Sequence, residues 1–307
     1  MKEMKKISIL FALICFVAFS AFAQDETKTK KENNNKSLLG YFIFNDSKPE
    51  RLMYASGILI DNQTNVIQPA KSLEMVIQHR FGTMENGVSD LWGIFGAANT
   101  RLGLNYSVTD WLQIGVGSAK VNKLQDIGLK INLMQQSRDK KVPVSVTYYG
   151  NMAIDARDEK NFGINYSFTD RLTFFNELMV TRKFCDWFTM SVGGSFTHFN
   201  MVDSLYEHDK VALHFLGKIK LSEQSSIMIN YDQPLKIDAI KEWSEINHQP
   251  KPNLGIGWEI ATLTHAFQVF VGTATYMVPQ YNVMMNQNDW LDGEIFIGFN
   301  ITRVWNF

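Results

Sequence analysis

The chain has 307 residues and a formal net charge of −1, is 45% hydrophobic and 20% charged, and carries 22 Phe, 10 Tyr and 7 Trp. That balance excludes wholesale disorder, collagen-like repeats and coiled coil, and it leaves no electrostatic footprint for nucleic acid. With only 2 Cys, a disulfide-stapled scaffold is excluded too.

In chain order, Met1 to Lys6 is a basic n-region, Ile7 to Phe19 an apolar run of signal length, and Ala21-Phe22-Ala23 a small-x-small pattern before Gln24. The expectation is a signal peptide over residues 1–23, cleaved after Ala23, and export to the cell outer membrane. Cys15 follows the bulky Ile14 inside the apolar run, which argues against lipidation and leaves Cys185 as the mature thiol. Residues 24–37 are mixed-charge and Asn-rich and read as a disordered tether. Residues 38–71 form a short N-terminal segment whose apolar patches, Leu38 to Phe44 and Leu52 to Ile60, have an ambiguous period. A plug, a periplasmic element or an extra strand would each fit. No later stretch approaches the roughly 18 to 20 uninterrupted apolar residues of a spanning helix, so a membrane-embedded chain has to be a barrel.

From Ser72 to Phe307 the hydrophobic period is two. In residues 98–108, Leu102, Leu104, Tyr106 and Val108 alternate with Arg101, Gly103, Asn105 and Ser107. Further on, Leu254, Ile256, Trp258 and Ile260 alternate with Gly255, Gly257 and Glu259. Strands are predicted at 72–82, 97–108, 111–121, 125–136, 142–155, 166–183, 187–199, 210–221, 226–232, 253–262, 265–274 and 291–307. Short links near 109–110, 137–141, 184–186, 222–225 and 263–264 interleave with long ones at 83–96, 156–165, 200–209, 233–252 and 275–290, with 122–124 a short exception. Such segregation matches the periplasmic turns and extracellular loops of outer-membrane barrels. Thr169-Asp170 resembles the turn at Thr109-Asp110, but a turn there would break the even parity, so one long strand projecting beyond the membrane is expected. The predicted class is therefore all-β: a closed antiparallel transmembrane up-and-down barrel over residues 72–307, about twelve strands with ten to fourteen admissible.

The last strand ends in aromatics. Phe299, Trp305 and Phe307 fit the terminal signal that the barrel assembly machinery reads, although Thr302 stands where Gly is usual. Arg303 falls on the lipid-facing parity and would have to snorkel. Trp111, Trp187, Trp258 and Trp305 lie near strand ends, where interfacial girdles sit.

His79-Arg80-Phe81-Gly82, Arg101 to Tyr106, Leu254 to Gly257, His265 to Gln268 and Gly293 to Arg303 together resemble the membrane-bound β-barrel domain family of unknown function. The resemblance covers about the last four fifths of the chain. It implies an outer-membrane barrel of a diderm bacterium and carries over no catalytic or binding residue.

By parity, Glu74, Arg80, Arg101, Asp126, Lys130, Glu177, His214, Lys218 and Glu259 point into the lumen, with Gln78, Asn105 and Asn151. Charges of both signs fit either a weakly selective wet pore or a cross-linked, closed interior. The six His show no metal-ligand spacing, so no metal or other cofactor is expected. None has Ser two residues later, as barrel phospholipases require, and no enzyme is expected. Asp203, Glu207, His208 and Asp209 are the nearest thing to a barrel-protease cluster and read as solvated loop charges. Gly115-Val116-Gly117 and Gly255-Ile256-Gly257 open no helix, so they give room inside the barrel and hold no nucleotide. Met277, Met284, Met285, Tyr276, Tyr281 and Trp290 read as a mobile surface loop, with a soft metal or an apolar solute as the rival reading. Two functions stand: a narrow passive pore or small-solute transporter, or a closed scaffold. The scaffold would present loops 83–96, 233–252 and 275–290 to an outer-membrane partner and residues 24–70 to a periplasmic one. Lipid and the assembly machinery are the partners common to both.

Overall fold

A computed structural model describes residues 48–51, 53–237 and 248–307. The signal sequence, the tether, the patch Leu38 to Phe44 and the middle of the 233–252 loop lie outside the described residues.

Twelve antiparallel strands close into a barrel: β3 (Ser72–Thr83), β4 (Asn99–Thr109), β5 (Leu112–Ala119), β6 (Gln125–Met134), β7 (Ser145–Ile154), β8 (Leu172–Cys185), β9 (Phe188–Phe199), β10 (Asp209–Lys220), β11 (Ser225–Leu235), β12 (Asn253–Ala261), β13 (His265–Gly272) and β14 (Phe296–Asn306). Two short strands precede them, β1 (Ile58–Leu59) and β2 (Asn62–Gln63), paired as a tiny hairpin. The last strand closes on the first barrel strand with Ile301 opposite Ile77. Closure satisfies every strand edge, the only way a sheet can stand in hydrocarbon.

The alternation in the sequence becomes two faces. Leu102, Val116, Ile127, Val192, Ile256 and Val269 are exposed on the outside, whereas Ser107, Gln113, Thr147, Thr181, Thr197 and Asn230 are buried within. In water such a molecule would be inside out; a lipid sleeve makes each face fit its surroundings. Trp111, Trp187 and Trp258 are exposed, and Arg303 lies over the Trp305 ring at 4.9 Å. Arg303 also pairs in register with His265 next to a short turn, which puts its charge at the inner rim.

Connections β4–β5, β6–β7, β8–β9, β10–β11 and β12–β13 share the inner rim, and the others, mostly longer but including the short β5–β6 link, share the outer rim. One expected element is different. Residues 166–171 do not extend the strand: Phe168–Arg171 is a 3-10 turn, and β8 begins at Leu172. Ser167 caps that turn, its backbone N–H donating to the Asp170 carboxylate at 2.7 Å, and a capping box outcompetes the extended form. The final strand likewise starts at Phe296, later than expected, because residues 291–295 turn at Gly293 (φ 76°).

Candidate functional site: a lumen closed from both ends

Over its described part, the N-terminal segment runs inside the barrel. Ile58, Leu59, Ile60, Asp61 and Asn62 are all buried, and Leu59 and Ile60 pack with Leu216, Met228, Phe270 and Phe296 of the wall. Its entry is pinned at the inner rim. The Glu50 N–H donates to Gln136 O at 2.7 Å, and Lys183 Nζ reaches the Glu50 carboxylate at 3.2 Å.

Most wall groups predicted to face the lumen hold this segment or each other. Arg80, with its side chain 0% exposed, donates to Asp61 at 2.8 Å, to Ile60 O at 3.1 Å and to Asn300 at 2.9 Å. Glu74 accepts the Gly57 N–H at 2.9 Å, and Lys130 donates to Gly57 O at 2.9 Å. A Cβ at Gly57 would stand 2.6 Å from Glu74 Oε2, so a larger residue there would push the Glu74 carboxylate aside. Gln268 clasps the hairpin at Ile58 O and the Ile60 N–H, at 3.0 and 3.2 Å.

Two further pairs are internal to the wall. Arg101 donates twice to Asp126, at 2.9 and 2.6 Å, and Lys218 lies 3.0 Å from Glu259. Tyr54 lies 2.8 Å from Ser191, and burial pushes its hydroxyl above the usual phenol range, so it stays neutral. Glu177 is buried beside the bare Gly193.

The outer mouth is closed differently. The loop after β13 carries helix α1 (Pro279–Met285), which folds inward instead of lying on the surface as expected. Tyr281 meets Phe199 at a ring separation of 5.0 Å, Met277 and Met284 pack with Leu124 and Ala153, and Val283 packs with Tyr149, Phe175 and Met179. Gln280 donates to Asn151 at 2.9 Å. Met277 and Met284 therefore help fill the mouth, which corrects the surface-loop reading. Between wall and segment a cavity of about 20 Å³ remains, lined by Ile58, Gln63, Arg101, Asp126, Lys130 and Tyr149 among others. That is room for about one water.

The protease-like cluster does not assemble. Glu207 forms a buried ion pair with Lys210, Asp209 pairs with His198 at 2.6 Å, and His208 turns to Phe199 O at 2.6 Å. Glu207 is buried, not solvated, because Lys210 at the base of β10 faces inward beneath it. Phe299 stacks on His79 at 5.0 Å on the outer face, and Phe307 is exposed at the chain end.

A second constellation escapes any search along the chain. On β9, β10 and β11, His214 Nδ1 lies 2.7 Å from Asp232 and its Nε2 lies 2.7 Å from the Ser195 hydroxyl. All three side chains are buried. Spacings of 19 and 18 residues look like nothing in sequence, yet His214 and Asp232 are direct register partners. Lining up inward positions across neighbouring strands would have found them.

Fold and site thus define a membrane β-barrel of the outer-membrane type whose interior is filled by its own chain. The membrane bound beta barrel domain (DUF5777) matches residues 54–305, and the chain belongs to that family. None of the curated proteins matches it. Among solved structures it is similar to an outer membrane channel from Pseudomonas putida F1, at 11% identity over 80% of this chain and 100% of that one, with a TM-score of 0.50. It also resembles the KdgM porin (6% identity, 77% and 99% covered, TM-score 0.44). A third likeness is to the Acinetobacter baumannii outer membrane protein Omp33 (9%, 76% and 98%, TM-score 0.39). At these identities the likeness is one of fold.

Proposed function

We propose that the barrel is a passive outer-membrane channel for small polar solutes, held shut by its own N-terminal segment. One observation carries the reading. The wall grips that segment largely by polar side chains reaching its backbone: Glu74 and Lys130 at Gly57, Arg80 and Asn300 at Ile60, and Gln268 on either side. Water can replace each of those partners, so the segment can leave without stranding a bare charge in an apolar void. The lining then exposed would mix Glu74, Arg80, Arg101, Asp126, Lys130, Glu177, His214, Lys218 and Glu259, which gives weak charge selectivity. The likeness to a protein described as an outer membrane channel agrees with this reading.

In the same reading the chain is exported by cleavage after Ala23, inserted through the signal at Phe299, Trp305 and Phe307, and surrounded by outer-membrane lipid. Planar bilayers provide the test. The intact chain should be nearly silent, and a variant lacking both residues 24–70 and the α1 segment that fills the outer mouth should show stepwise conductance. Silence from that variant, with its heat-modifiable migration intact, defeats the channel.

The apolar seating of α1 favours a second reading: a permanently closed scaffold whose loops dock a partner. A silent deletion variant together with a stoichiometric copurifying protein would establish it.

A further inference from the structure

Ser195, His214 and Asp232 form a relay whose order and distances are those of a nucleophile, its base and the group that orients the base. Asp232 is held hard. Its Oδ2 accepts from Asn230 at 2.9 Å and from Asn253 at 2.8 Å, while Oδ1 takes His214 and the Asn62 amide. A carboxylate so surrounded by donors is an acceptor only, so a neutral His214 carries its proton on Nδ1 and offers Nε2 to the Ser195 hydroxyl. The Phe175 ring meets the imidazole edge-on at 5.9 Å, which fixes its plane. A hydrogen-bond chain built only to satisfy buried groups needs no such polarity. Ser195 occupies an inward position of β9, and the Asn62 contact to the acid makes the N-terminal segment the lid of the relay.

We propose that Ser195 is a masked acyl-transfer nucleophile, uncovered when the N-terminal segment leaves, and that it takes esters small and polar enough to enter the barrel. In the first step Ser195 Oγ bonds to the ester carbonyl carbon and its proton passes to His214 Nε2. The carbon–oxygen bond to the alcohol then breaks, and the alcohol leaves with the proton from His214. Water repeats the sequence at the acyl carbon, giving the acid and restoring the serine hydroxyl. The masking rests on the movable segment proposed above; the relay does not.

The test uses the full chain in detergent, an Asp61→Asn/Asn62→Ala double variant to loosen the segment, and a second variant lacking residues 24–70. Each is treated with a short-chain alkyl fluorophosphonate, which bonds to an activated serine and releases fluoride. Adducts are located by peptide mass. The loosened chains should be labelled at Ser195 at least about a hundredfold faster than their His214→Gln counterparts, the scale of general-base assistance. Ser222→Ala, which removes an exposed hydroxyl from the turn after β10, should leave the rate unchanged, and Ser195→Ala should abolish the adduct. Absence of a Ser195 adduct in heat-modifiable, loosened barrels overturns the proposal, as does labelling indifferent to His214. Equal labelling of the intact chain overturns the mask. Conductance without labelling removes the nucleophile and keeps the channel; labelling without conductance does the reverse.

Discussion

The two closures of this lumen obey different physics. At the inner end a segment folded back as a short hairpin is gripped largely through charge and hydrogen bonds, with Arg80 and Asp61 entirely buried at its heart. At the outer end a short helix is seated by Tyr281, Val283 and Met284 against apolar wall residues. Release at the inner end exchanges many polar partners for water while uncovering Leu59 and Ile60, whereas release at the outer end would bring chiefly apolar surface into water. The inner closure therefore suits reversible release, and the outer one suits a standing constriction.

The sharpest way to break that contrast is at the buried pair. Arg80→Ala should cost about 3 to 5 kcal/mol in urea unfolding from micelles, because Asp61 is left charged and unpaired. Removing both charges, by Arg80→Gln with Asp61→Asn, should cost clearly less than the sum of the single changes. Strict additivity would show that the inner end is not held as a coupled pair. At the outer end Met284→Ala should cost about 2 to 3 kcal/mol through the cavity it leaves. It should also speed protease cutting in the 273–295 loop while leaving the inner segment seated. If the inner segment loosens as well, the two closures are one unit. At the inner rim, Glu50→Gln removes a partly exposed ion pair with Lys183 and should shift stability by less than about 1 kcal/mol. A larger loss there would make the rim, not the buried core, the anchor of the segment.

Period-two patterning placed the barrel strands to within a few residues because lipid on one side and a polar lumen on the other act on every side chain of a strand. The exception at 166–171 is instructive. Tyr166, Phe168 and Leu172 alternate as a strand would, but the local bonds of Ser167 and Asp170 decide the backbone there, and hydrophobic parity does not register them. The inner segment was unreadable for a related reason. Its residues face the wall on all sides, so no period arises, and its polar partners lie far off in sequence, Gln268 being 208 positions from Ile60. Similarly, the Met- and Tyr-rich loop looked like a surface loop because its length was visible and its destination was not. The relay at Ser195 was hidden by the habit of looking for motifs along the chain; in a barrel, neighbours are found across strands.

The position of Arg80 also constrains the order in which the molecule is built. It sits on β3, the first barrel strand, and its partner Asn300 sits on β14, the last, 220 residues away. Both grip Ile60 across the closing seam. The seat for the N-terminal segment is therefore incomplete until the C-terminal strand arrives, so during biogenesis this segment, made before any barrel strand, is among the last to find its place.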